Sequence, residues 1–330
     1  MTSRRIAAEY VLPLRWSTDD DRDDLTDYLR SLSTWIDITI VDGSPAELFA
    51  AHARSWDGLV RHLAVASGPA AAANGKVDGV LTGIAAARHD SIVIADDDVR
   101  YTEGALRALV AELARAELVK PQNYFDPLPW HARWDTARTL MNRALSSDYP
   151  GTYAVRRSLL ARSGGYDGAS LFENLELERT VRAAGGRVCD LPGLFVARRP
   201  SSFQHFRAQR VRQAYESFAQ PMRLAAEAAI VPAVLCGRRR PVLLIAAASA
   251  TALLAEIGRR RAGGRAVFPA SSAFWAPFWV LERGLCSWIA ITRRLRGGIA
   301  YGGHRLSQAA NSERVIRARL RRASSDVLQP

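Results

Sequence analysis

The sequence predicts an α/β protein, a doubly wound and mostly parallel sheet with a hydrophobic helical region at the C-terminal end. Three observations carry that expectation. Short apolar strands alternate with amphipathic helical stretches between residues 10 and 118. One of those strands, Ile92-Val93-Ile94-Ala95, runs straight into Asp96-Asp97-Asp98. Beyond Ala219 the composition changes to long apolar blocks separated by arginines.

Taken in order, Tyr10-Val11-Leu12-Pro13-Leu14 is a first strand closed by proline. The acidic stretch from Ser17 to Asp24 precedes a helix with Leu25, Tyr28, Leu29 and Leu32 at helical spacing. Ile36 to Val41 is a β-branched strand ending in Asp42-Gly43-Ser44. An acid at that edge can bond the base or ribose of a nucleotide, while Asp-Gly is equally a common turn. Leu63 to Ser67 reads as a short strand, Pro69 to Lys76 as a small-residue connection, and Val80 to Ala87 as a helix. Lys76 precedes that helix and can face a phosphate together with the helix N-terminus; a plain surface lysine is the alternative.

The Ile92 strand lacks alternation, as expected for a strand buried on both faces. Three adjacent acids cannot enter such a core, because unpaired buried charge is too costly. They therefore mark the C-terminal end of the strand, the edge at which α/β sheets place ligands. Asp96 and Asp98 can turn to one side and share a divalent cation. Hard oxygen ligands suit Mg²⁺ or Mn²⁺, with a diphosphate completing the shell. A solvated acidic turn has the same composition.

Glu103 to Leu118 is an amphipathic helix, and Leu118-Val119-Lys120 begins another strand. Pro121 to Arg138 is rich in proline and aromatic residues and reads as a structured loop, with His131 inside it. Asp148 to Arg157 is a loop entering a strand, and Ser163 to Asp167 a turn. Phe172-Glu173-Asn174-Leu175-Glu176 opens a helix that Gly185-Gly186 closes. Acids in its first turn also suit the helix dipole, a purely structural reason for them.

Charge is divided unevenly. Residues 1–197 hold 22 Lys+Arg against 27 Asp+Glu, and residues 198–330 hold 23 against 6. The basic excess thus belongs to the C-terminal part, whose partners would be anionic headgroups or nucleic acid. Cys189, Cys236 and Cys286 show no pair spacing, so neither a disulfide framework nor a zinc motif is expected. Met1 to Tyr10 lacks the apolar run of a secretion signal, so the N-terminal domain is expected on the cytoplasmic side.

Three apolar blocks follow, Leu224 to Cys236, Pro241 to Ile257 and Val267 to Ile291, separated by Arg238-Arg239-Arg240 and Arg259-Arg260-Arg261. The middle block is short of the roughly 20 residues a span needs. The last carries Glu282-Arg283 but has Phe274, Trp275, Phe278, Trp279 and Trp288, which suit a membrane interface. A shallow anchor, a two-span hairpin and buried soluble helices all remain open. The division expected is a catalytic domain over 1–220, membrane-associated helices over 221–300, and a basic cytoplasmic tail over 301–330 containing Arg314, Arg317, Arg319, Arg321 and Arg322.

In this order the motifs resemble those of the inverting family-two glycosyltransferases of the GT-A fold, in a membrane-associated subgroup. The resemblance covers about residues 8–220. It rests on Val11-Leu12-Pro13-Leu14, Ile40-Val41-Asp42-Gly43-Ser44, Ile92 through Asp98 as the Asp-x-Asp motif, Gly151 to Arg157, Gly164-Gly165-Tyr166-Asp167 and the Glu-rich segment from Phe172 to Gly185. It implies that Asp42 binds base or ribose, that Asp96 contacts the nucleotide-sugar, and that Asp98 holds the metal on the diphosphate. The family's base follows a Glu at a helix start; here that pair reads Glu173-Asn174. Asn cannot take a proton, so Glu173 is the first candidate and Glu176 the second. Gln209-Arg210-Val211-Arg212-Gln213 is similar to a donor-closing Gln-x-x-Arg-Trp motif but lacks the Trp. Gln209 and Arg212 then either touch diphosphate or belong to a basic helix.

The expected function is therefore metal-dependent transfer of a sugar from a UDP- or GDP-sugar to a lipid-borne or hydrophobic acceptor, such as a glycolipid precursor. Asn174 motivates the alternative of a catalytically weakened sugar-nucleotide or lipid-binding protein on the same fold. Nucleic-acid binding is set aside, since the basic residues border apolar blocks and no reader motif is present.

Overall fold

The computed structural model describes residues 4–66, 74–301 and 304–326. The chain opens with β1 (Glu9–Leu14), α1 (Arg22–Ser33), β2 (Asp37–Asp42), α2 (Ala46–Ser55), β3 (Arg61–Ala64), α3 (Gly75–Ala86), β4 (Ser91–Ala95) and the two-residue β5 (Val99–Arg100). It continues through α4 (Glu103–Ala111), β6 (Leu118–Phe125), α5 (Trp130–Leu145), β7 (Thr152–Arg156), α6 (Arg157–Arg162), α7 (Glu173–Ala183) and β8 (Val188–Arg198). Then come α8 (Phe203–Tyr215), α9 (Pro221–Gly237), α10 (Pro241–Arg260), α11 (Ala276–Leu295), β9 (Ile299–Tyr301), β10 (His304–Leu306) and α12 (Glu313–Asp326). The expected strand end at Ser67 and the small-residue stretch from Pro69 fall partly outside the described residues.

Two compact units result. The first joins residues 1–121, 150–196 and 311–330, and the second joins 122–149 and 197–310. The sequence suggested a cut near residue 220. The structure instead returns α12 to the first unit, because Ile316 is buried and Asn311 bonds to α7.

The main sheet has the order β3-β2-β1-β4-β7-β6-β8-β5. β3, β2, β1 and β4 are parallel, while β7 is antiparallel to β4 and β6. Side chains alternate between two cores. Tyr10, Leu12, Val93 and Ala95 join Leu25, Leu29 and Trp56 on one face. Val11, Ile92 and Ile94 join Val77, Val80 and Ile84 of α3 and Leu177 and Val181 of α7 on the other. Period-two alternation thus persists even where both faces are apolar. Gly83 lets α3 lie close on β1: a Cβ there would strike Val11 Cγ1.

In the second unit, α5 occupies part of the stretch whose prolines and aromatics suggested a loop. Pro129 precedes its first turn, where a proline costs least, and Ala132, Thr136, Thr139, Leu140 and Arg143 form its buried stripe. α10 crosses α5 at Gly258, where a Cβ would strike the Leu140 carbonyl oxygen. Arg143 is buried there and donates to the Gly258 carbonyl at 3.0 Å and to Gln122 Oε1 at 2.8 Å. Other polar groups also point inward. Arg210 pairs with Asp135 at 2.7 Å, Trp134 donates to Glu282 at 2.6 Å, and Ser287 donates to Glu227 at 3.1 Å. Apolar side chains point outward: Ile245 is 66% exposed, Leu253 65% and Phe274 72%.

Candidate active site

The alternation of β4 decides where its acids go. Ile92 and Ile94 face α3 and α7, so Asp96 continues toward those helices and Asp97 turns the opposite way. Asp96 donates its N–H to the Gly151 carbonyl at 2.9 Å, and the Val99 N–H returns to the Asp96 carbonyl at 3.1 Å. This tight turn fixes the acidic stretch. Asp97 Oδ2 accepts from Trp16 Nε1 at 2.5 Å. Asp98 is half-buried in the same turn.

Asn74 caps α3, its side chain accepting from the Lys76 N–H at 3.2 Å. Lys76 then reaches between two carboxylates. Its Nζ lies 2.6 Å from Asp96 Oδ1 and 2.7 Å from Glu173 Oε1. Burial alone would lower the pKa of this amine. The charges of Asp96 and Glu173 outweigh burial and hold it well above the ordinary lysine value. Asp96, Lys76 and Glu173 thus form one constellation at the end of β4.

Asn174 points elsewhere, donating to the Pro150 carbonyl at 3.2 Å. An ionised Asp would be repelled by that oxygen, so the departure from a Glu-Asp pair has a local structural reason. Glu176 is 1% exposed and accepts from the Asn311 N–H at 2.6 Å and the Asn311 side chain at 2.9 Å. The structure therefore separates the two base candidates: Glu173 meets Lys76, and Glu176 holds the C-terminal segment.

Asp42 is 2% exposed at the end of β2. Its Oδ2 lies 2.6 Å from His52 Nδ1 and 3.1 Å from His62 Nε2, and its Oδ1 accepts from the Ser44 N–H at 2.8 Å. His52 meets a second carboxylate, Asp19, at 3.0 Å and stacks on Trp56. Among the described residues, Asp42, His52 and His62 are the three acid or histidine side chains that converge closely enough to enclose a metal ion. The 2.6 Å contact is that of a charge-assisted hydrogen bond.

Burial raises the Asp42 pKa, but the bonds from His62, Ser44 and His52 outweigh it and leave the carboxyl well below the usual range. Its folded value thus lies below the unfolded value of about 3.9. The stabilisation from these bonds is complete above about pH 5 and is lost as pH falls through the carboxylate range. Replacing His62 with Gln should flatten the acid limb of a stability-versus-pH curve measured by denaturant unfolding between pH 2 and 6. An acid limb identical to wild type would show that His62 contributes nothing to it.

Gln209 and Arg212 lie on α8 in the second unit. Gln209 contacts His205, one turn earlier on the same helix. Arg212 stacks over the Tyr301 ring at 5.2 Å. His131 bonds the Ser201 carbonyl at 2.9 Å, and Asp148 accepts from Asn142 at 2.8 Å. The residues that sequence reasoning missed are Asn74, Trp16 and Asn311. For Asn74 a signal existed, since an Asn just before a helical stretch is a capping residue.

The sequence pattern of glycosyl transferase family 21 matches residues 48–121, which run from α2 through Asp96 and Asp98 into β6. Residues 48–121 are a glycosyltransferase segment. No curated protein matches the chain. Among solved structures, a mannosyltransferase from Pyrobaculum calidifontis in complex with GDP-Man and Mn²⁺ is similar, with 14% identity and a TM-score of 0.51 over 99% of this chain and 82% of that one. S. aureus TarS (residues 1–349) has 12% identity and a TM-score of 0.45, over 67% and 64% of the two chains. Glucosyl-3-phosphoglycerate synthase from Mycobacterium tuberculosis, with Mn²⁺ and UDP-glucose, has 18% identity and a TM-score of 0.42, over 63% and 77%. The chain therefore carries a glycosyltransferase segment in a GT-A-like α/β fold.

Proposed function

We propose that the chain is a metal-dependent inverting glycosyltransferase that moves a sugar from a UDP- or GDP-sugar to a lipid-borne or otherwise hydrophobic acceptor. The observation that carries this reading is the Asp96–Lys76–Glu173 constellation at the ligand-bearing edge of β4, inside the glycosyltransferase segment for two of its three members. The donor set suits a hard divalent cation. Asp96 and Asp98 offer only carboxylate oxygens, and because Asp96 shares Oδ1 with Lys76, Asp98 would be the principal protein ligand. A Mg²⁺ or Mn²⁺ bound there would supply charge for the diphosphate leaving group.

The chain's own groups do the rest. Lys76 offers a fixed positive charge beside the departing diphosphate. Glu173 takes the proton of the acceptor hydroxyl as its oxygen attacks the anomeric carbon and the bond to diphosphate breaks. One displacement inverts the anomeric centre. Asp42, at the end of β2, acts at one remove by fixing His62 of the neighbouring β3, beside which base or ribose would lie. A screen of UDP-, GDP- and dTDP-sugars for metal-dependent thermal stabilisation and turnover tests the reading. Failure of every donor in both assays would refute it. Donor binding without turnover would instead favour a sugar-nucleotide-binding protein, a reading encouraged by the engagement of Glu173 with Lys76.

The second unit supports a membrane-associated protein with its first unit on the cytoplasmic side. Charged and hydrogen-bonding groups face its interior while large apolar side chains face outward, the reverse of a water-soluble bundle. Pro241–Ala266 is long and apolar enough to cross a bilayer, and only 11% of its most apolar window is buried. The exposed arginines of α12, in the first unit, fit the cytoplasmic side. Full-length protein should sediment with membranes and resist extraction by high salt, requiring detergent for release. Recovery in the soluble fraction without detergent would overturn the membrane reading.

A further inference from the structure

We propose that Asn311 is a positioning residue for the active site, holding in place the two stretches from which Lys76 and Glu173 project. The inference rests on the roles assigned above to those two residues.

Asn311 is buried, and four of its hydrogen bonds tie it to Glu176, Asp167 and Arg179 within the first unit. Its N–H donates to Glu176 Oε2 at 2.6 Å, and its side-chain amide donates to Glu176 Oε1 at 2.9 Å. The same amide donates to Asp167 Oδ2 at 2.8 Å, and its carbonyl accepts from Arg179 Nη1 at 2.6 Å. Two of these partners, Glu176 and Arg179, lie on α7, whose first residue is Glu173. Fixing Glu176 therefore fixes the turn that aims Glu173.

The bond to Asp167 leads to Lys76. Asp167 Oδ1 accepts from the Ala169 N–H at 2.9 Å, shaping the turn from Asp167 to Ser170. That turn holds Asn74 from both sides: the Gly168 carbonyl accepts its N–H at 2.8 Å, and the Ser170 carbonyl accepts its side-chain amide at 3.1 Å. Asn74 in turn caps α3 at Lys76. Asn311 thus touches both supports of the Lys76–Glu173 pair, and Arg319 of α12 reinforces the clamp on Asp167 at 3.1 Å.

An amide is the group this place requires. Two carboxylates converge on the Asn311 side chain, so an acid of the same size would meet two like charges with no donor between them. The loss is costly at Glu176, which is 1% exposed and whose Oε1 would lose the amide donor with little access to water; Asp167 keeps Arg319 and the Ala169 N–H.

The test uses full-length Asn311→Asp, with hydrogen–deuterium exchange as a readout independent of turnover. Exchange should rise about tenfold or more in the first turns of α3 and α7, and stay as in wild type across β1 and α1. With an accepted donor, kcat should fall about 10–100-fold, as small misplacements of reacting groups do, while donor Kd changes little. Adding Glu176→Gln restores a donor opposite the new carboxylate and should recover most of the lost turnover. Unchanged exchange in both helix starts overturns the proposal, as does a loss of turnover that Glu176→Gln leaves unrepaired. If wild type turns over no donor, the glycosyltransferase reading fails, and exchange in α3 and α7 alone decides the role of Asn311.

Discussion

Asp98→Ala should abolish metal-dependent donor binding, lowering affinity by about 100-fold or more. The expectation follows from how few protein ligands the site offers. Asp96 already shares Oδ1 with Lys76, so Asp98 is the carboxylate best placed for a cation and the diphosphate must supply much of the shell. Altering an outer-shell partner of a metal ligand typically costs 10–100-fold in affinity, and losing a direct ligand should cost at least the upper end of that range. Asp97 provides an internal control. It lies in the same turn, but it accepts from Trp16 on the other side. Asp97→Asn keeps an acceptor for that indole and should leave metal-dependent binding within a few-fold of wild type. Titration of each variant with UDP- and GDP-sugars, with Mn²⁺ and with EDTA, measures the effect. If Asp98→Ala retains wild-type metal dependence with every accepted donor, or if Asp97→Asn is the damaged variant, the assignment of the Asp-x-Asp motif is wrong.

The parts of this site legible in the sequence are those specified by neighbouring residues. The Ile92 strand and its acidic end were readable because burial and charge cost act within a few residues. The helix at Glu173 and its closure at Gly185 were readable for the same reason, and Gly185 does adopt a positive φ of 84°. α5 was not, because the prolines before it and the aromatics at its start obscured a stripe spaced for packing on α10. Long-range partnerships were also hidden. Lys76 and Glu173 are 97 residues apart, and Asn311 and Glu176 are 135 apart. Nothing local distinguishes an Asn that clamps two carboxylates from one in a polar tail. The arginines of α12 suggested a free extension for the same reason. Their spacing records an exposed face, while the buried Ile316 that docks the helix carries little weight in composition. Asp42 marks an intermediate case. Its position at a strand edge was evident, but its burial beneath His52 and His62 depends on α2 and β3 folding back over β2.

Glu173→Gln should lower turnover by about 10²–10⁴-fold, the usual contribution of a positioned base. The amide keeps the size of the side chain and can still accept from Lys76 through its oxygen, so the constellation should stay assembled while the proton acceptor is removed. Donor affinity should therefore remain within a few-fold of wild type, which separates loss of a base from collapse of the site. Lys76→Met is the complementary variant. It leaves Asp96 and Glu173 facing each other without the intervening ammonium, and it should weaken donor binding as well as turnover. Glu176→Gln provides the decisive contrast. Glu176 accepts two bonds from Asn311 and is buried, so its replacement should reduce stability by about 1–3 kcal/mol through a disturbed acceptor. Its effect on turnover should be well below that of Glu173→Gln. Initial rates at saturating donor and acceptor, donor affinity by calorimetry and denaturant midpoints for the three variants together test this assignment. A dead Glu176→Gln beside an active Glu173→Gln would move the base one turn along α7. Normal turnover in both would exclude α7 as its source and direct attention to His131 and Asp148.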